Sequence, residues 1–238
     1  ADMNYRAKNW KNAMGAYEAF IRKYESVPEA GPWLVKASFR TAEVDLRLRK
    51  LRTPKEAWAR TIDLYARLVN EPGSMSAEYA AHSQFMLIEK DMREFETIKI
   101  AGPQKSLDAK IKAGAEQVKA FEERYRDVQK YRRPEWSLAA EFRIGYAYEV
   151  YAKALLNIPP PPLDAKTTKL LKTLSKEDRD LVLVEYEDKF RAAMEQYVTG
   201  AEEKAKAEYK IAIDLSRQGN ISNEWTLLAI ERMNAYDP

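Results

Sequence analysis

Apolar residues recur along this chain at intervals of three and four, in stretches broken by proline rather than by alternation. That is the period of amphipathic helices. Trp10, Ala13, Tyr17, Phe20, Ile21 and Tyr24 form one stripe and predict a helix over 4–24. Trp33, Ala37, Val44, Leu46 and Leu48 predict a second over 33–51. Thr53-Pro54-Lys55-Glu56 places Thr at the N-cap, proline at the first helical position and Glu at the third, a capping box. The helix it opens carries Trp58, Ile62, Tyr65 and Leu68 and stops at Pro72-Gly73. Further helices are predicted over 76–100, 106–131 and 137–157. Four consecutive prolines, Pro159 to Pro162, favour stiff polyproline II and predict a loop or spacer, followed by a short helix over 168–174. Ser175-Lys176-Glu177-Asp178 reads as the capped start of a long helix to about Arg217, which Gly200 is expected to kink or divide. Gly219-Asn220 supplies a stop, and Ser222 or Asn223 caps a last helix to about Ala235. Leu181-Val182-Leu183-Val184 is the one strand-like run, and it lies inside a helical charge pattern. The expected fold is all-α, with eight main helices mostly in antiparallel pairs. Residues 1–158 are expected to form a helical array and 159–174 a Pro-rich spacer. Residues 175–238 then form a long helix and a capping helix packed on the same array.

Composition removes much chemistry. The 238 residues contain no cysteine and one histidine, His82. Thiol nucleophiles, thiolate zinc sites and iron–sulfur clusters are therefore excluded, as are sites built from two or three histidines. The net charge of +3 is nearly balanced and does not suggest a nucleic-acid binder. No apolar run approaches the roughly 18–20 residues of a membrane span. Neither of the common glycine-rich phosphate cradles occurs, and no His-Glu-x-x-His or Gly-x-Ser-x-Gly is present. Glu78 and His82 share a helix face, but one histidine does not furnish a di-metal bundle site. No cofactor or metal is expected. The first residue is Ala1, which suggests a processed chain or a fragment.

An internal repeat is visible. Ala37-Ser38-Phe39-Arg40-Thr41-Ala42 and Ala140-Glu141-Phe142-Arg143-Ile144-Gly145 both read Ala-x-Phe-Arg-x-small. Tyr17, Tyr65, Tyr125 and Tyr209 are each followed three residues later by an apolar residue. On these features, and on Asn9-Trp10-Lys11-Asn12-Ala13 through Tyr24, the chain resembles the tetratricopeptide-repeat (TPR) superfamily. The resemblance covers about residues 4–158 and extends more loosely to 236. Pro28, Pro72 and Pro134 stand near the places of the family's repeat-end proline, out of strict register. The tyrosines are 48, 60 and 84 residues apart, against a family period of about 34. The family's Leu-Gly pair is replaced by Lys36 and Ala37. The resemblance therefore implies a degenerate TPR-like right-handed solenoid with lengthened helices. In texture the chain is similar to TPR proteins of the bacterial cell envelope, including those of myxobacterial gliding motility. That likeness points to the periplasm or cell envelope and to a scaffold or adaptor rather than an enzyme.

The basic stretch from Lys36 to Arg60 holds eight Lys/Arg against three acids. Lys36, Arg40 and Arg47 fall close to one helix face. In TPR-like arrays the first helix of each pair lines the concave surface, so these three are expected to grip an acidic tail or terminal carboxylate of a protein partner. Arg143, the repeat equivalent of Arg40, extends that surface. The competing expectation is a solvated face with local pairs such as Arg40 with Glu43. A self-assembling subunit is the alternative function. A further, weaker one is a peptidoglycan-acting enzyme of helical-superhelix type, to which Glu25-Ser26 bears a faint likeness without the downstream segment such enzymes carry. Its mark would be two facing carboxylates in a cleft, one with a raised pKa.

Overall fold

A computed structural model describes residues 1–48 and 53–236. The expected cap by the Thr53 side chain and the basic positions Arg49, Lys50 and Arg52 lie outside the described residues. About 82% of the chain is helix, and among the described residues there are ten α-helices and no strand. They are α1 (Asp2–Arg6), α2 (Trp10–Tyr24), α3 (Gly31–Arg47), α4 (Thr53–Leu68) and α5 (Met75–Phe95). There follow α6 (Gln104–Gln129), α7 (Pro134–Leu156), α8 (Ala165–Leu171), α9 (Lys176–Gly219) and α10 (Glu224–Tyr236).

Local chemistry explains the boundaries. Side chains of Asn9, Ser74, Asp164 and Ser175 accept hydrogen bonds from backbone N–H groups in the first turns of α2, α5, α8 and α9. Each satisfies a donor that has no partner inside its helix. Asn220 closes α9 in the left-handed conformation. Two expectations need correction. The predicted first helix is two, because Lys8 turns left-handed (φ 58°) and Asn9 starts a new cap. Gly200 does not divide α9, which runs as one helix of 44 residues.

Packing follows chain order. Each long helix lies against the next, with α9 taking the place after α7, and α3, α5, α7 and α10 also touch one another in succession. One core gathers Tyr17, Leu34, Val35, Leu64, Tyr65 and Ala80 from α2 to α5. A larger one gathers Ile88, Met92, Tyr125, Leu138, Ile144 and Tyr209 from α5 to α10, and Tyr131 packs against both. α7 is apolar nearly all round and is the most enclosed helix, as expected for one with neighbours on every side. Its Gly145 admits the Tyr209 ring: a Cβ there would stand 2.8 Å from it. Among the described residues no helix is long and apolar enough to cross a membrane.

Candidate functional site

The repeated Ala-x-Phe-Arg segments do equivalent work. Phe39 and Phe142 are buried, and each meets an aromatic ring on the following member of the α3–α5–α7–α10 row. Phe39 lies 5.0 Å from Tyr79 and 4.9 Å from His82 on α5, and Phe142 lies 5.6 Å from Trp225 on α10. Each arginine then lies over rings, Arg40 over Tyr5 and Tyr79, Arg143 over Tyr146 and Trp225.

The four cations expected to bind a partner are placed as follows. Lys36 is paired with Asp2 at 2.5 Å and lies near the exposed ring of Trp33. Arg40 binds Glu43 and, at 3.2 Å, the Tyr5 hydroxyl. Arg143 binds Glu89 at 2.5 Å and Glu96 at 3.5 Å. Arg47 is exposed at the end of α3. Lys36, Arg40 and Arg143 are thus already held by carboxylates, and the local pair of Arg40 with Glu43 is present. Arg40 and Arg143 do stand at corresponding places, on α3 and α7.

Sequence reasoning missed a second repeated arrangement. The Tyr125 hydroxyl of α6 donates to Glu89 of α5 at 2.7 Å, and Glu89 in turn receives Arg143 from α7. The Tyr209 hydroxyl of α9 donates to Glu149 of α7 at 2.6 Å, and Glu149 receives Arg232 from α10 at 3.3 Å. Both tyrosine rings are fully buried, and burial together with the carboxylate raises both phenols far above their ordinary value. The two relays converge on Tyr146, whose ring has Arg143 and Arg232 within 5.4 and 5.7 Å. Two of the four repeat tyrosines were the available signal. The two glutamates were hidden among 37 acids.

No protein-family model, curated protein or solved structure matches this chain. The site must therefore be read from its own geometry.

The histidine and the acids offer little chemistry. His82 stacks on Trp136 at 4.1 Å, and burial lowers its pKa, so it is neutral at physiological pH. Glu78 receives Arg133 and the Trp136 indole N–H rather than facing a metal. Among the described residues no group of three His, Cys, Asp or Glu is placed to hold an ion. Glu25 is exposed at the end of α2. Glu141 and Glu208 do face each other, and Glu208 is pushed up to about 8 by burial and by the neighbouring Glu141. They are 3% and 9% exposed and lie between α6, α7 and α9 under Arg126, which binds both. The pair lies in the packed seam between helices and not in an open cleft.

A groove of about 710 Å³ lies between the segment 96–101 and α7. Ile100, Val150 and Ala154 form an apolar floor, and Lys99, Lys153 and Asn157 stand at its rim. Glu96 on that rim is bound by Arg143, and the neighbouring Glu149 is bound by Lys153 and Arg232. Among the described residues the backbone N–H groups of Lys99, Ile100 and Ala101 make no backbone hydrogen bond. A smaller cavity of about 400 Å³ at the other end is walled by Tyr17, Phe20 and Trp33, with Lys36 beside it.

Proposed function

We propose that this chain is a non-catalytic adaptor built as a degenerate TPR-like right-handed solenoid, and that it docks an extended acidic segment of a partner protein. The succession of α3, α5, α7 and α10, each backed by α2, α4, α6 or α9, supports the solenoid reading. So does the equivalence of the Phe39–Arg40 and Phe142–Arg143 environments. The observation that carries the docking reading is the groove between 96–101 and α7. It combines an apolar floor, backbone donors without backbone partners and two lysines at the rim. An extended peptide is matched to such a site because it brings carbonyls to the open N–H groups and side chains to the floor.

On this reading first contact falls to Lys99, while Lys153 joins once it is released from Glu149. Lys36 and Arg40 reach a ligand only after Asp2 and Glu43 are displaced, and Arg143 acts by holding Glu96 and the Tyr146 wall. Arg47 extends the basic end. The TPR resemblance alone is the ground for expecting a cell-envelope or motility assembly.

The test is capture of partners on immobilised protein, identified by mass spectrometry, comparing wild type with a Lys99→Glu/Lys153→Gln variant of unchanged melting temperature. A partner held by wild type and lost from the variant supports the reading. No specific partner, or equal capture by both, overturns it.

A further inference from the structure

The two halves of α9 differ sharply. From Met194 to Ser216 it buries a regular series of side chains, Met194, Val198, Ala201, Ala205, Tyr209, Ala212 and Ser216. Between Lys176 and Ala193 it buries none. Yet that outer half carries Leu181, Val182, Leu183 and Val184 in succession, more than one turn at 100° per residue and so apolar on every side. Leu181 is 69% and Val184 57% exposed, and Leu170 and Leu174 beside α8 are exposed as well. Exposed apolar side chains gathered in this way mark an interaction site.

The outer half is well anchored. The Tyr186 hydroxyl donates to the Pro161 carbonyl at 2.8 Å, which holds the proline segment on α9. Arg179 turns back to the carbonyls of Leu171 and Leu174 and fixes the end of α8. Between these elements runs a groove of about 590 Å³ walled by Leu163, Leu171, Leu183 and Val184. The charges around it are segregated. The α8 side carries Lys166, Lys169 and Lys172, with Asp164 capping its start. The first turns of α9 carry Glu177, Asp178, Asp180, Glu185, Glu187 and Asp188 against three cations: Lys176, Arg179, which faces inward, and Lys189, which pairs with Glu185.

We infer that this α8–α9 arm is a self-association surface whose occupant is the same arm of a second copy. The argument is charge complementarity. A basic helix beside an acidic one, with an apolar strip between, is self-complementary under a two-fold axis: the α8 lysines of each copy meet the α9 carboxylates of the other. Leu181 and Val184 of both copies are then buried in the middle, giving a short bundle of paired helices. An anionic membrane fits less well, because six carboxylates flank the apolar turn. The site is separate from the groove beside α7, and its outcome does not depend on that reading.

Sedimentation equilibrium on the whole chain tests the inference. Wild type is expected to dimerise with concentration, and high salt should weaken the dimer by screening the paired charges. Leu181→Ser/Val184→Ser should raise the dissociation constant at least about tenfold, the loss of roughly 1.4 kcal/mol, with the melting temperature unchanged. Lys169→Glu/Lys172→Glu and Glu185→Lys/Glu187→Lys should each be monomeric alone and should form a mixed dimer when combined. A wild type that stays monomeric, or a dimer indifferent to these changes, overturns the inference. So does failure of the charge-reversed pair to associate. Binding of monomer to anionic vesicles, lost in the Leu181→Ser/Val184→Ser variant, would reassign the surface to lipid.

Discussion

Glu208 on α9 faces Glu141 on α7 beneath Arg126, which binds both carboxylates, inside the seam that joins the two helices. Burial is the main reason that Glu208 keeps its proton up to about pH 8. Glu141 and Glu122 add to that effect, and Arg126 opposes it. An unfolded chain releases the same proton near the ordinary value of 4.5. Stability from this group is therefore complete below about pH 4.5 and is lost as pH rises toward 8. The slope has a ceiling of about 1.4 kcal/mol per pH unit for one proton. Urea unfolding at about pH 5 and about pH 9 should give a lower midpoint at the higher pH. Glu208→Gln, which keeps a donor for Glu141 without a titrating proton, should flatten the difference.

The tyrosine–glutamate–arginine relays predict two costly deletions of a single atom. Tyr125→Phe and Tyr209→Phe each remove a buried donor and leave a carboxylate with one partner fewer. Each should destabilise by about 1–3 kcal/mol, read from chemical unfolding. Combining Tyr209→Phe with Arg232→Ala should cost less than the sum of the two, because both act on Glu149.

Two glycines on neighbouring helices should respond in opposite directions to alanine. At Gly145 the new methyl meets the Tyr209 ring, whose hydroxyl is tied to Glu149 and which has little room to withdraw. A loss of about 1–3 kcal/mol is expected. At Gly200 nothing lies within 4 Å of the added carbon, and the position is helical. A gain of about 0.5–1 kcal/mol is expected from helix propensity. Thermal unfolding of the two variants decides both.

Much of the fold was legible because helix ends carry local chemistry. Ser175 was readable as a cap three residues before Asp178, and Gly219-Asn220 as a stop. The break at Lys8 was not, since no proline or glycine marks it between Asn4 and Trp10. Asn9 was the one cap signal there. The repeat Ala-x-Phe-Arg was legible for the same reason that it packs: the small residue and the ring occupy fixed places on a helix. What Arg143 binds was not, because Glu89 lies 54 residues away on another helix. A sequence names the ions but not their partners, so three of the four cations read as a gripping surface are held by carboxylates within the molecule. The groove beside α7 was hidden likewise, since residues 96–101 gain meaning only from α7 alongside them.

The contrast along α9 has a kinetic consequence. At about 1.5 Å per residue its 44 residues reach about 66 Å, yet its buried side chains begin at Met194, with Phe190 packed partly buried one turn before. Backbone hydrogen bonds between Lys176 and Ala193 open without breaking up the core, whereas those between Met194 and Ser216 open only with the seam against α7. A single unbroken rod thus contains two protection classes, with deuterium entering the outer half first. The boundary near Met194 is where its thermodynamic identity changes from surface element to core.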